Sequence, residues 1–159
     1  MLRVNIICVG KLKEKFYADA AGEYLKRLGA YCKAEITELP EEKRPKEPSE
    51  TETYAAVSRE GDALLERIPK GALTVAMCVE GREMPSEYMA ELIEKASEKS
   101  GKLCFIIGGS DGLDERVKKA ADIRLSMSKM TFPHHLARVM LIEQLYRGFK
   151  IMEGGKYHK

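Results

Sequence analysis

Short, nearly continuous apolar runs alternate along this chain with stretches in which apolar residues recur every three or four positions. Val4 to Val9 is one such run, closed by Gly10, and reads as a first strand. From Glu14 to Leu28, the residues Phe16, Ala20, Tyr24, Leu25 and Leu28 share one helical face, with Gly29 beyond the helix end. Ala34 to Leu39 alternates like a second strand. Pro40 to Pro48 is charged and carries three prolines, so it reads as a loop. Ser49 and Glu52 have capping-box spacing and open a helix bearing Tyr54, Val57, Leu64, Leu65 and Ile68, which Pro69-Lys70-Gly71 ends. Leu73 to Val79 reads as a third strand, apolar enough to be covered on both faces. Glu80-Gly81 then reads as a turn, and Ser86 as the cap of a helix carrying Met89, Leu92, Ile93 and Ala96. Leu103 to Ile107 is the fourth strand, Asp114 to Ala121 a short helix, and Ile123 to Leu125 the fifth strand. Pro133 suits the start of the last helix, whose apolar positions include Leu136, Val139, Leu145 and Phe149.

Strands alternating with helices predict an α/β fold, a mostly parallel sheet with helices on both faces. No repeat or second domain is visible, so residues 1–159 are expected to form a single domain. No apolar run approaches the roughly 20 residues that span a bilayer. The N-terminus is too mixed for a signal peptide, and a cytoplasmic protein with no membrane partner is expected. The four cysteines form no Cys-x-x-Cys pair, and three lie in strand-like runs; they read as reduced core thiols, with no metal site. A formal net charge of +2 does not by itself predict nucleic-acid binding. It leaves two local basic clusters: Lys11, Lys13 and Lys15, and Lys156, His158 and Lys159. Charge pattern alone favours a solvated surface for both of them.

Ligands of open α/β sheets bind at the C-terminal ends of strands, here after Val79, Ile107 and Leu125. The run Gly108-Gly109-Ser110-Asp111-Gly112 gives a backbone that a ligand can approach closely. The P-loop, the Gly-x-Gly-x-x-Gly fingerprint, the Gly-x-Ser-x-Gly elbow and the His-Glu-x-x-His zinc motif are all absent. His134, next to Pro133 at a helix start, fits a local structural role at least as well as a catalytic one.

Four segments in order then carry a resemblance: Ile107 to Gly112, Leu125 to His134, Glu143-Gln144-Leu145-Tyr146-Arg147, and Tyr157-His158-Lys159. With Val9 to Glu14 and Glu23 to Arg27, the chain closely resembles the RlmH family of SPOUT-class RNA methyltransferases over essentially its whole length. The resemblance implies a C-terminal trefoil knot, a homodimer, and S-adenosyl-L-methionine as cofactor. It implies methylation at N3 of a pseudouridine in the helix 69 stem-loop of 23S rRNA, on the assembled 70S ribosome. Two alternatives stay open: a SPOUT-type methyltransferase for another RNA, and a non-catalytic nucleotide-binding module that associates with ribosomes.

In that frame the cofactor-binding residues are Met77, Gly108, Gly109, Gly112, Leu125, Ser126, Met127, Ser128, Lys129 and Met130. Met77, Leu125, Met127 and Met130 offer apolar walls, although core packing accounts for the same residues. His158 is the first candidate for a base, since an ordinary imidazole titrates near neutrality. Tyr157 suits stacking or hydrogen bonding to a base, and Arg147 a phosphate or the developing charge on the ring. Chain ends fray by default; it is the resemblance that implies a role for this tail. Two departures stand out. Met77-Cys78 replaces a usual acidic residue, and Gly154-Gly155-Lys156 lacks the proline common before the tyrosine, which predicts a looser tail.

Overall fold

The structure, a computed structural model, describes residues 1–158. Lys159, the last residue of the basic tail, lies outside them. Ten elements follow one another: β1 (Leu2–Val9), α1 (Lys15–Leu28), β2 (Cys32–Leu39), α2 (Glu50–Arg67), β3 (Leu73–Glu83), α3 (Glu87–Lys99), β4 (Lys102–Ile107), α4 (Glu115–Ala120), β5 (Ile123–Ser126) and α5 (His134–Met152). The five strands form one sheet in the order β2-β1-β4-β3-β5, and every pairing is parallel.

Alternation along β1 and β4 sends side chains to two separate cores. Val4, Ile6 and Phe105 pack in one, where α1, α3 and α5 cover the sheet. Ile7, Cys104 and Ile106 pack in the other, under α2 and α4. Helices therefore lie on both faces, as the sequence predicts. The α3–α5 contact is close because of Gly148, where a Cβ would come within 2.9 Å of Ile93 Cδ1 and Met89 Cγ. The Ser49–Glu52 capping box forms in full at the start of α2.

Three local expectations need correction. Glu80-Gly81 makes no turn: β3 runs on to Glu83 with its register shifted, so that Met77 and Arg82 both pair with Leu125. Gly81 permits this, since a Cβ there would sit 2.7 Å from the Leu125 carbonyl carbon. The shift also leaves Val79 exposed instead of covered on both faces. Ser86 does not cap α3; its hydroxyl donates to Gln144 Oε1 at 2.7 Å, tying the start of α3 to α5.

Nor do the tail glycines act only to loosen it. Gly154 has φ +71°, its N–H donates to Ile151 O, and the Gly155 N–H donates to Lys150 O. This paired arrangement ends α5 on a left-handed residue and turns the chain back along the helix.

Candidate active site

β4 and β5 end, and β3 shifts its register, around a cavity of about 290 Å³. Of the expected cofactor residues, Met77, Gly108, Gly109, Gly112, Ser126, Met127, Ser128 and Met130 line it. Gly112 N–H donates to Gly109 O at 3.1 Å, closing the glycine loop into a tight bridge. A Cβ on Gly108 would meet the Gly112 carbonyl at 2.6 Å, so the bridge closes only over a bare backbone. Leu125 and Lys129 do not line the cavity. Leu125 is buried and faces a second cavity, while Lys129 lines neither.

Paired charges frame the first cavity. Asp111 meets Arg44 Nε at 2.7 Å, off-axis for a hydrogen bond, and Arg44 also reaches the buried Glu60. Ser110 donates to Glu41 Oε1 at 2.9 Å. Burial pushes the Glu41 pKa up, but the Ser110 hydrogen bonds outweigh this and hold it below the ordinary value. The proline-rich loop of residues 40–48 thus serves to brace the glycine loop. At the cavity mouth Glu80 pairs with Lys118. That hydrogen bond lowers the Glu80 pKa, and it raises that of Lys118 against the cost of burial, so both are ionised.

His134 also lines this cavity, and its Nδ1 is buried with no hydrogen-bond partner among the described residues. Burial is the main cause of its lowered pKa, with the neighbouring His135 adding to it, so the imidazole is neutral at pH 7. A neutral ring nitrogen left unpaired in a wall is a place that a polar ligand can satisfy. Sequence reading left this histidine between a structural and a catalytic role, and the unpaired atom was invisible to it.

The second cavity, about 390 Å³, lies between α5 and the start of α3. Ser126 and Met127 line both cavities. Glu143 in the lining of the second cavity connects it to the expected catalytic residues, which lie together but do not line it. Tyr157 donates to Glu143 Oε1 at 3.1 Å, and Arg147 Nη2 to the same oxygen at 2.7 Å. The Arg147 guanidinium sits 4.8 Å from the Tyr157 ring centroid. His158 Nε2 lies 2.8 Å from Glu87 Oε1, and its Nδ1 lies 3.2 Å from Arg147 Nη1. One tautomer satisfies both contacts: Nε2 donates to Glu87 and Nδ1 accepts from Arg147. Glu143 and Glu87 were missed as site residues. The spacing of Glu143 four residues before Arg147 was a signal for the first, whereas nothing local connects Glu87 with a residue 71 positions away.

A family model described as a predicted SPOUT methyltransferase matches residues 2–158. Proteins named ribosomal RNA large subunit methyltransferase H are 46% identical in Clostridium perfringens and 45% in Bacillus pumilus, each covering 99% of this chain and 100% of the relative. A probable methylase family protein from Haemophilus influenzae has a similar structure, with a TM-score of 0.55 at 15% identity over 98% of this chain and 70% of its own. A tRNA (m1G37) methyltransferase from Aquifex aeolicus follows at 0.54 and 17%, over 92% and 69%. At such identities the two structures speak to the fold alone. The sequence relatives go further: this chain belongs to the SPOUT methyltransferases, and among them to the large-subunit ribosomal RNA methyltransferase H (RlmH) family.

Proposed function

We propose that this chain transfers a methyl group from S-adenosyl-L-methionine to N3 of a pseudouridine in the helix 69 stem-loop of 23S rRNA. It does so in the cytoplasm, as a homodimer, on the assembled 70S ribosome. The observation that carries this reading is the cavity where β4 and β5 end beside β3, built from the glycine loop and the segment of residues 126–130.

The residues present suit the cofactor. Met77 and Met127 offer apolar faces to an adenine, and the Gly108–Gly112 backbone admits close approach. His134 Nδ1 offers a hydrogen-bonding position to a polar group. Glu80 and Asp111 are each matched by a cation, so the cavity is close to neutral. When bound, the cofactor supplies a methyl group already activated on a sulfonium. The protein's contribution is then alignment and exclusion of water.

The tail residues serve the other reactant. N3 of pseudouridine carries a proton that leaves before or during attack. His158 is the base in this reading, but both its ring nitrogens are engaged, by Glu87 and Arg147. Accepting a proton therefore requires the tail to leave its docked position. Arg147 then stabilises negative charge on the ring, and Tyr157 stacks on or hydrogen-bonds to a base. Within one chain Arg147, Tyr157 and His158 do not line the glycine cavity, which supports a site completed by a second subunit. The trefoil knot is part of the same reading and rests on the family.

The test is mass spectrometry of 23S rRNA from cells lacking the gene, with methylation assays on 70S ribosomes and naked rRNA. Loss of N3-methylpseudouridine, restored by the purified protein on ribosomes, is expected. Activity on naked rRNA is expected to be weak. Deleting residues 157–159 should abolish turnover and spare cofactor affinity. An unchanged methylation pattern in the deletion strain would overturn the reading and favour another RNA.

A further inference from the structure

The connection between β1 and α1 takes no part in the chemistry above. It leaves the sheet beside the glycine loop, where a Cβ on Gly109 would lie 3.2 Å from Cγ1 of Val9. Lys11 and Lys13 are exposed, whereas Leu12 between them packs against the core. Lys15 is tied to Asp19 at 2.7 Å, but Lys11 and Lys13 form no ion pair among the described residues. Two ammonium groups without an ion pair therefore follow β1 at the same C-terminal end of the sheet as the glycine cavity. Phe16, next along, is 65% exposed.

The shape of this connection is fixed from inside. Arg138 of α5 is buried, donating from Nη2 to Gly10 O at 2.9 Å and from Nη1 to Glu38 Oε2 at 2.5 Å. The same Glu38 oxygen accepts the Leu12 N–H at 3.0 Å. Gly10 holds φ +95° and donates its N–H to Leu39 O at 2.7 Å. The backbone is thus clamped on both sides of Lys11. A buried ion pair is often no more stabilising than apolar packing of the same volume, so the clamp is better explained by the geometry it imposes.

We infer that the β1–α1 connection is an RNA-contact surface, in which Lys11 and Lys13 meet backbone phosphates next to the target nucleotide while Arg138 and Glu38 act as positioning residues. Phosphate contacts orient a nucleic acid without reading its sequence. With a formal net charge of only +2, local placement matters more than overall charge. The inference rests on the proposed action on ribosomal RNA.

The test compares the full-length protein with Lys11→Ala/Lys13→Ala, and with Lys70→Ala/Lys95→Ala as an equal charge change elsewhere. Ribosome binding is measured across salt concentrations, with KM, kcat, cofactor affinity and sedimentation. The first pair should raise KM about tenfold at low salt and lower the slope of log K against log salt by about 1.5. Its kcat and cofactor affinity should stay as in the parent, and the second pair should behave as the parent throughout. Glu38→Gln should raise KM with kcat retained and reduce the salt slope, which a general loss of stability would not do. The inference is overturned if the first pair matches the parent at every salt concentration, or if the second pair weakens binding equally. Dissociation of the dimer in the first pair would also overturn it, assigning the connection to a subunit contact. A parent protein inactive on ribosomes would sink the proposed function itself, a result distinct from an active parent with an indifferent variant.

Discussion

The Tyr157 hydroxyl donates to Oε1 of Glu143 at 3.1 Å, which joins the end of the chain to the middle of its last helix. Arg147 donates to the same oxygen, so one carboxylate holds two of the three tail-side groups. Glu143→Gln keeps an acceptor and removes the charge. The expected cost is about 1 kcal/mol of stability, with faster amide exchange over residues 156–158. Cofactor affinity, measured by calorimetry, should be unchanged. Exchange in the tail equal to the parent's would show that Glu143 does not hold it.

Two glycines of one loop should respond differently to alanine. At Gly108 the new Cβ meets backbone atoms of Gly112 at 2.6 Å, so the bridge has to open. Gly108→Ala should destabilise the protein by about 1–3 kcal/mol and remove cofactor binding. At Gly112 nothing lies within 4 Å, and only φ +80° opposes a side chain. Gly112→Ala should cost about 1–2 kcal/mol and leave weakened binding. Thermal melts with and without S-adenosyl-L-methionine separate the two.

Stability should fall in acid partly through Glu38. Burial pushes its pKa up, but the Arg138 hydrogen bond and the Leu12 N–H outweigh burial and hold it below the ordinary 4.5. A carboxyl depressed in the folded state adds stability above its unfolded pKa and loses it as pH falls through the folded value. Denaturant titrations from pH 7 to pH 3 should therefore show a decline beginning near pH 4.5, shallower in Glu38→Gln. At pH 7 that variant should be about 2–3 kcal/mol less stable, because Arg138 keeps a buried charge without its counter-ion.

Thiol labelling offers a probe of the glycine cavity. Burial pushes Cys8 and Cys104 up to about 12 and Cys32 up to about 11, which leaves them almost without thiolate at pH 8. Cys78 is half-buried and lines the cavity; its pKa is also raised, by burial first and then by Glu80. It should label first, and saturating cofactor should slow it. An unchanged rate with cofactor bound would place the ligand elsewhere.

The regular elements were legible because period and burial coincide. Ile6 and Ile7 sit in opposite cores, and the apolar stripe of α3 covers the sheet as its spacing predicts. The failures share a cause, which is contact between segments far apart in the chain. Gly81 looks like a turn residue in isolation, yet its missing side chain is what lets β3 pass close to β5. Ser86 looks like a cap until Gln144, 58 residues later, takes its hydroxyl. Arg138 is buried against Glu38, 100 residues away, and nothing near it in the chain signals that contact. At the site, the glycine loop was visible from residue type, whereas the methionines read equally as core and were singled out by the family resemblance. The braces, Arg44 on Asp111 and Lys118 on Glu80, depend on the tertiary path.

Ser126 and Met127 belong to both cavities at once. A methionine side chain has three rotatable bonds and reshapes at little cost, so room gained by Met127 on one side is taken from the other. A ligand that selects one Met127 conformer changes the affinity of whatever binds across the partition, and that influence is equal in both directions. Ligands occupying the two cavities would therefore be coupled through Met127 before any contact between them.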